Sequence, residues 1–152
     1  MSPARLIASF CGAGFAPRAP GTVGSLSALV VGLPLLAHGS WMALAIIVCT
    51  VVGWRATDLV SHGEDHGWIV IDEVAGMWLA MCPLAPLPLS ALRWADMLWL
   101  LLAFALFRLF DITKPGPVGW FDRRHDALGI MGDDIVAGLM AAAILTGIRF
   151  LA

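Results

Sequence analysis

From Ala19 to Trp54 the chain runs 36 residues without an Asp, Glu, Lys or Arg. That is too long for one membrane helix of ~20 residues and suits two. His38-Gly39-Ser40 is the only polar, turn-forming cluster inside it, so the break belongs there. Helices are expected near 24–37 and 41–55. The rest of the chain has the same character: 60% of its residues are hydrophobic and 13% are charged, more apolar than an ordinary soluble domain. A chain of 152 residues cannot bury that much apolar surface alone, and lipid is its natural solvent. Residues 74–92 are uncharged, but Pro83, Pro86 and Pro88 end any helix there near Met81. A further helix is expected over 95–113, stopped by Pro115 and Gly116, and a last one over 133–150. Residues 56–71 are polar and expected as loop or short helix.

The expected fold is all-α. It is a multi-helix integral membrane bundle of about four to five apolar helices plus short interfacial helices, forming one domain over residues 1–152. Some segments are short. Fourteen helical residues reach about 21 Å at ~1.5 Å each, against a hydrocarbon core of ~30 Å, so half-embedded segments fit the pattern. Trp41, Trp54, Trp68, Trp94 and Trp120 lie near the expected helix ends, as an interfacial aromatic belt would. The N-terminal segment has no convincing cleavage site and is expected to be part of the mature protein.

Charge orients the chain. With the N-terminus, the 55–73 segment and the 108–134 segment on one side, that side holds seven of the nine basic residues, leaving only Arg93 and Arg149 opposite. This is the bias of a cytoplasmic face. Ten of the eleven acids fall on the same side, Asp96 being the exception. Acids contribute little to topology, so this second asymmetry calls for another cause, and chemistry at that face supplies one.

The acids come in pairs. Asp72-Glu73 and Asp133-Asp134 each precede an apolar run, VAG or IVAG. One acid at a helix start is explained by capping and the helix dipole, worth ~0.3–1 kcal/mol. A second adjacent acid adds repulsion and desolvation. Four carboxylates at two helix starts need a cation between them, and a divalent ion with oxygen ligands, Mg²⁺, is the economical choice. Histidine and cysteine are too sparse near these acids for zinc.

A third stretch, FRLFDITKPGP, places Arg108, Asp111 and Lys114 three residues apart on one helix face. An ion-pair ladder at a membrane boundary would have this spacing. Beside a metal site, however, Arg108 and Lys114 suit phosphate oxygens, and Asp111 suits a ligand or a base. Acids for Mg²⁺ and bases for phosphate are the toolkit of metal-assisted phosphoryl chemistry. A fourth stretch, APRAPGTVGS, brings Thr22, Ser25 and loop amides to the start of an apolar helix. It reads either as a membrane-entry turn or as a phosphate cradle. Asp65 and His66 lie just before the first acid pair and are candidates for orienting it from outside.

Other chemistries lack support. Cys11, Cys49 and Cys82 show neither a disulfide framework nor metal spacing. Cys49 and Arg55 have the spacing of a cysteine-dependent phosphatase, but the residues between them are apolar and helical. No G-x-S-x-G elbow accompanies the histidines. A net charge of −2 does not point to nucleic acid.

Taken together, APGTVGS (19–25), DHGWIVIDEVAGMW (65–78), FRLFDITKPGPVGWFDR (107–123) and GIMGDDIVAG (129–138) resemble the phosphatidylglycerophosphatase A family, in family order. The chain departs from it before GIM, where HDALGIM replaces a segment that commonly carries a Gly-Gly pair. The resemblance implies a helical, multi-pass enzyme of the bacterial inner membrane with its site facing the cytoplasm. It implies Mg²⁺-dependent removal of the terminal phosphate of phosphatidylglycerophosphate. On this reading Asp72, Glu73, Asp133 and Asp134 gather Mg²⁺, and Asp72, Asp111 and Asp134 carry catalysis. Arg108, Lys114, Thr22 and Ser25 bind phosphate and headgroup. Partners are the lipid substrate and the bilayer, with no nucleic acid; the sequence leaves the oligomeric state open. The rival is a non-enzymatic transporter or lipid-binding protein that uses the acid pairs to bind ions. A transporter would place its acids near mid-helix along a pathway, whereas these cluster at helix ends.

Overall fold

The computed structural model describes residues 1–151. Among them the chain forms helices α1 (Pro3–Ala8), α2 (Pro20–Gly32), α3 (Gly39–Ser61), α4 (Ile71–Met81), α5 (Trp94–Thr113), α6 (Pro117–Asp122) and α7 (Ala127–Leu151), joined by turns, with no strand. The all-α expectation holds. Several boundaries differ for identifiable reasons. The helix expected over 24–37 starts at Pro20, whose fixed φ and missing N–H suit a first helical position. It ends before Pro34, where a 3₁₀ turn takes over. α3 runs past Arg55 and Asp58 to Ser61, because Ala56, Thr57 and Ser61 are buried against the bundle while the charges face out. α7 begins well before residue 133. Asp126, inside the HDALGIM segment, caps it by accepting the Gly129 amide at 2.8 Å.

α4 is the central helix. All its residues except Glu73 and Leu79 are buried, and α2, α3, α5 and α7 pack around it. Glycines allow the close approaches. A Cβ on Gly138 would collide with the Gly76 peptide, and one on Gly76 would meet the Asp134 carbonyl and the Phe107 ring. Gly32 leaves room for the Trp78 indole, whose N–H donates to the Ala28 carbonyl at 2.8 Å. A large apolar core forms around Val74, Met77, Met81, Phe107, Met131 and Leu145.

The outside of the bundle is apolar as well. Val30 on α2, Ile47 and Val51 on α3, Leu98 and Leu101 on α5, and Leu139 on α7 are all exposed. Asp72, Asp133 and Asp134 are buried. An apolar exterior with these carboxylates held inside suits lipid contact. The expected four to five membrane-length helices nevertheless reduce to two, α3 and α7, that are long and apolar enough to cross a membrane. α2 has 13 residues and α4 has 11, about 20 and 16 Å at ~1.5 Å per residue. α5 has the length, but Asp96, Arg108 and Asp111 charge it.

Candidate active site

One end of the bundle collects helix termini. α2, α4 and α7 begin there, and α3 and α5 end there. Three helix N-termini therefore aim partial positive charge at a common region. Asp96, the acid at the opposite end, has a structural role: its carboxylate accepts the Arg93 amide at 2.9 Å in a capping box that starts α5.

Between these termini lies a cavity of about 330 Å³, lined by residues from the start of α2, the segment before α4, the first turn of α4, the end of α5 and the start of α7. Five of its carboxylates are Asp72, Glu73, Asp111, Asp133 and Asp134. Asp72 and Glu73 sit in the first turn of α4, where the helix dipole favours acids, although its N-cap residue Val70 makes no side-chain cap. Asp133 and Asp134 lie well inside α7, beyond reach of its N-terminal capping positions. Capping therefore cannot account for the second pair.

Asp72, Glu73 and Asp134 converge. Each offers an oxygen within 4.8 Å of the others. Glu73 Oε2 is buried without a hydrogen-bond partner. An orphaned carboxylate oxygen inside a three-acid cluster, with only oxygen donors present, fits a hard divalent cation. Burial is the main cause that pushes the Glu73 carboxyl up to about 8; the neighbouring Asp134 and Asp111 add to it, against opposition from Asp72 and Arg108. Burial also raises the Asp72 carboxyl, helped by Glu73. A bound cation would relieve that crowding.

The cationic side of the cavity is also built. Arg108 pairs with Asp111 one turn on in α5, and the same nitrogen lies 3.4 Å from Ser25 Oγ. Ser25 is fully buried, and its hydroxyl donates to the Gly21 carbonyl at 2.7 Å. Gly21 lies directly over Glu73, and a Cβ there would collide with Glu73 Oε1. Lys114 caps α5 in a left-handed conformation, φ 46°. Its ammonium donates to Asp122 at 2.5 Å and to Asp133 at 2.7 Å. Burial alone would lower the lysine, but these two carboxylates outweigh it and hold it above its ordinary value.

The structure thus brings Asp72, Glu73, Asp111, Asp133, Asp134, Arg108 and Lys114 together around one cavity, with Asp65 at its exposed rim. It does not bring all expected residues there. Ser25 faces the α2–α5 contact and holds Arg108. Thr22 is half-buried and lies outside the cavity lining, and His66 stacks on Trp68 at 5.9 Å instead of facing the acids. Asp133 is tied to Lys114 and lies outside the three-acid cluster. Sequence reasoning missed Asp122 because the chain turns at Gly116, where φ is 49°, and no helical spacing links Asp122 to Lys114. It also missed Ile69 and Pro20 as cavity walls; neither carries a chemical signal. A wider depression nearby contains Asp58, Arg124, His125 and Asp126, but its Arg124 and Asp126 pair with each other at 2.8 Å.

The family description Phosphatidylglycerophosphatase A matches residues 6–149. The chain is 40% identical to phosphatidylglycerophosphatase A of Escherichia coli K12, covering 95% of this chain and 82% of that protein. It is 36% identical to phosphatidylglycerophosphatase A of Haemophilus influenzae, covering 99% and 91%. It is also 36% identical to a Bacteroides thetaiotaomicron protein provisionally named a phosphatidylinositol-3-phosphatase, covering 95% and 92%. No solved structure matches.

Proposed function

Because the chain belongs to the phosphatidylglycerophosphatase A family, we propose that it hydrolyses the terminal phosphomonoester of phosphatidylglycerophosphate, releasing phosphatidylglycerol and phosphate, with Mg²⁺ as cofactor. The observation that carries this reading is the convergence of Asp72, Glu73 and Asp134 on one cavity that also presents Arg108. The names of the two phosphatidylglycerophosphatase relatives support the choice of substrate.

Asp72, Glu73 and Asp134 would hold the cation. When bound, it supplies charge neutralisation at the phosphate and Lewis-acid activation of the attacking water. The remaining groups act from the protein. Arg108 engages phosphate oxygens, held in place by Asp111 and Ser25. Lys114 uses two of its three N–H donors on Asp122 and Asp133, and the third is left for a phosphate oxygen. Asp111 lies against Asp134 and accepts the proton that water gives up. Phosphomonoester hydrolysis has one of the highest uncatalysed barriers, with rate enhancements of up to ~10²¹. That demand favours several fixed charges over a lone base.

The site would sit at the cytoplasmic face of the bacterial inner membrane. α3 and α7, long and apolar enough to cross a membrane, would span the bilayer, and the basic bias of the site end would set the orientation. Clustering of the acids at one end of the bundle favours an enzyme over a transporter, whose acids would follow a path through it. The test is phosphate release from phosphatidylglycerophosphate by the detergent-purified full chain, with Mg²⁺ or with EDTA, and with phosphatidylinositol 3-phosphate as the comparison lipid. Mg²⁺-dependent release from the first lipid is expected. Folded protein that releases phosphate from neither would overturn the reading.

A further inference from the structure

The protein supplies its own cations to two of the six carboxylates that line the cavity. Asp111 pairs with Arg108, and Asp133 pairs with Lys114. Both oxygens of Asp133 are engaged. Oδ1 accepts the Asp134 amide at 2.9 Å, and Oδ2 accepts the Lys114 ammonium at 2.7 Å. Lys114 is held from its other side by Asp122 on α6 at 2.5 Å. Its backbone is left-handed, a conformation that glycine adopts freely and lysine adopts only under constraint. The ammonium lies between Asp122 at the end of α6 and Asp133 on α7, beside the acid cluster. By contrast, Glu73 Oε2 has no partner.

Two-metal phosphatase sites hold their ions ~3.5–4 Å apart, linked by shared carboxylates. Here the adjacent acids Asp133 and Asp134 would be the natural link, but Asp133 is already satisfied by an ammonium. We propose that Lys114 takes the place of a second divalent cation, so that the site binds a single ion through Asp72, Glu73 and Asp134, while Asp133 anchors the lysine.

This inference rests on the metal-dependent reading above and is separable from it by counting ions without turnover. The full chain, purified in detergent, is titrated with Mn²⁺. Free Mn²⁺ is read by electron paramagnetic resonance, and bound ions are counted by native mass spectrometry. One ion per wild-type chain is expected. Asp133→Asn is expected to retain one, with affinity changed less than about tenfold, and Lys114→Arg to retain one. Lys114→Met frees Asp133 and Asp122 and is expected to bind two. Two ions on the wild type, or loss of the ion from folded Asp133→Asn, would overturn the proposal while leaving a metal-dependent phosphatase intact. One ion on folded Lys114→Met would refute the lysine's part. No ion on the folded wild type would sink the metal reading itself.

Discussion

The peptide of Gly76 lies against the α-carbon of Gly138, so α4 and α7 cross backbone to backbone. The crossing falls one turn below Asp72 on α4 and one turn below Asp134 on α7. Helix separation at this point sets how closely those two carboxylates approach. The packing contact and the site are therefore one piece of geometry.

Gly138→Val is expected to force the helices apart. Overpacking of this kind costs about 1–3 kcal/mol, read as a lower thermal midpoint in detergent. Activity should fall by more than the loss of folded protein explains, because the three-acid cluster opens. An unchanged midpoint would mean that the crossing is not tight.

Asp72→Asn and Asp134→Asn should each abolish measurable phosphate release while the circular dichroism of the helices stays near that of the wild type. Each substitution removes one charge from a cluster with ligand atoms within 4.8 Å. If both variants keep wild-type turnover, the cluster is not the catalytic centre.

Arg108 and Ser25 should separate by magnitude. Arg108→Ala removes the guanidinium proposed to engage the reacting phosphate and should lower kcat/KM by roughly 10²–10³, as loss of a transition-state donor does elsewhere, with little change in Mn²⁺ affinity. Ser25→Ala removes one hydrogen bond to the Gly21 carbonyl and the one that holds Arg108; only the second bears on the phosphate, and at about 0.5–1.5 kcal/mol it should cost about tenfold. A loss at Ser25 as large as that at Arg108 would place the hydroxyl on the substrate.

Without a cation, the stability of the folded chain should depend on pH in an unusual direction. Glu73 is raised from 4.5 to about 8 in the fold, so between those values the folded state binds more protons than the unfolded state. Unfolding free energy then falls as pH rises through that window. In EDTA the thermal midpoint should drop from about pH 5 to pH 8, and Mg²⁺ should restore it most at the upper end. A midpoint that rises over that range in EDTA would contradict the burial of an unpaired Glu73.

Much of the candidate site was legible in the sequence because its residue types are costly where they stand. Paired acids beside apolar runs, and Arg108, Asp111 and Lys114 at a three-residue spacing, stand out on one-dimensional grounds alone. Ser25 and Asp133 were legible as polar residues but not in their parts. Ser25 meets Arg108 across 83 positions, and Asp133 meets Lys114 only because the chain turns at Gly116 and α6 folds back. The extent of α7 was misjudged because Asp126 reads as a loop acid until its hydrogen bond to the Gly129 amide is seen.

Composition, the lengths of the uncharged runs and their proline breaks pointed to a helical chain, too apolar to be covered by its own polar residues, with its charges gathered at one end. These properties follow from transfer free energy and local backbone preference, which act residue by residue. Only the tertiary structure decided which acids converge and which are neutralised internally. It also decided how many helices have the length and charge-free surface to cross a membrane. Those outcomes depend on helix crossings at glycine and on a left-handed lysine, contacts between residues that no local pattern connects.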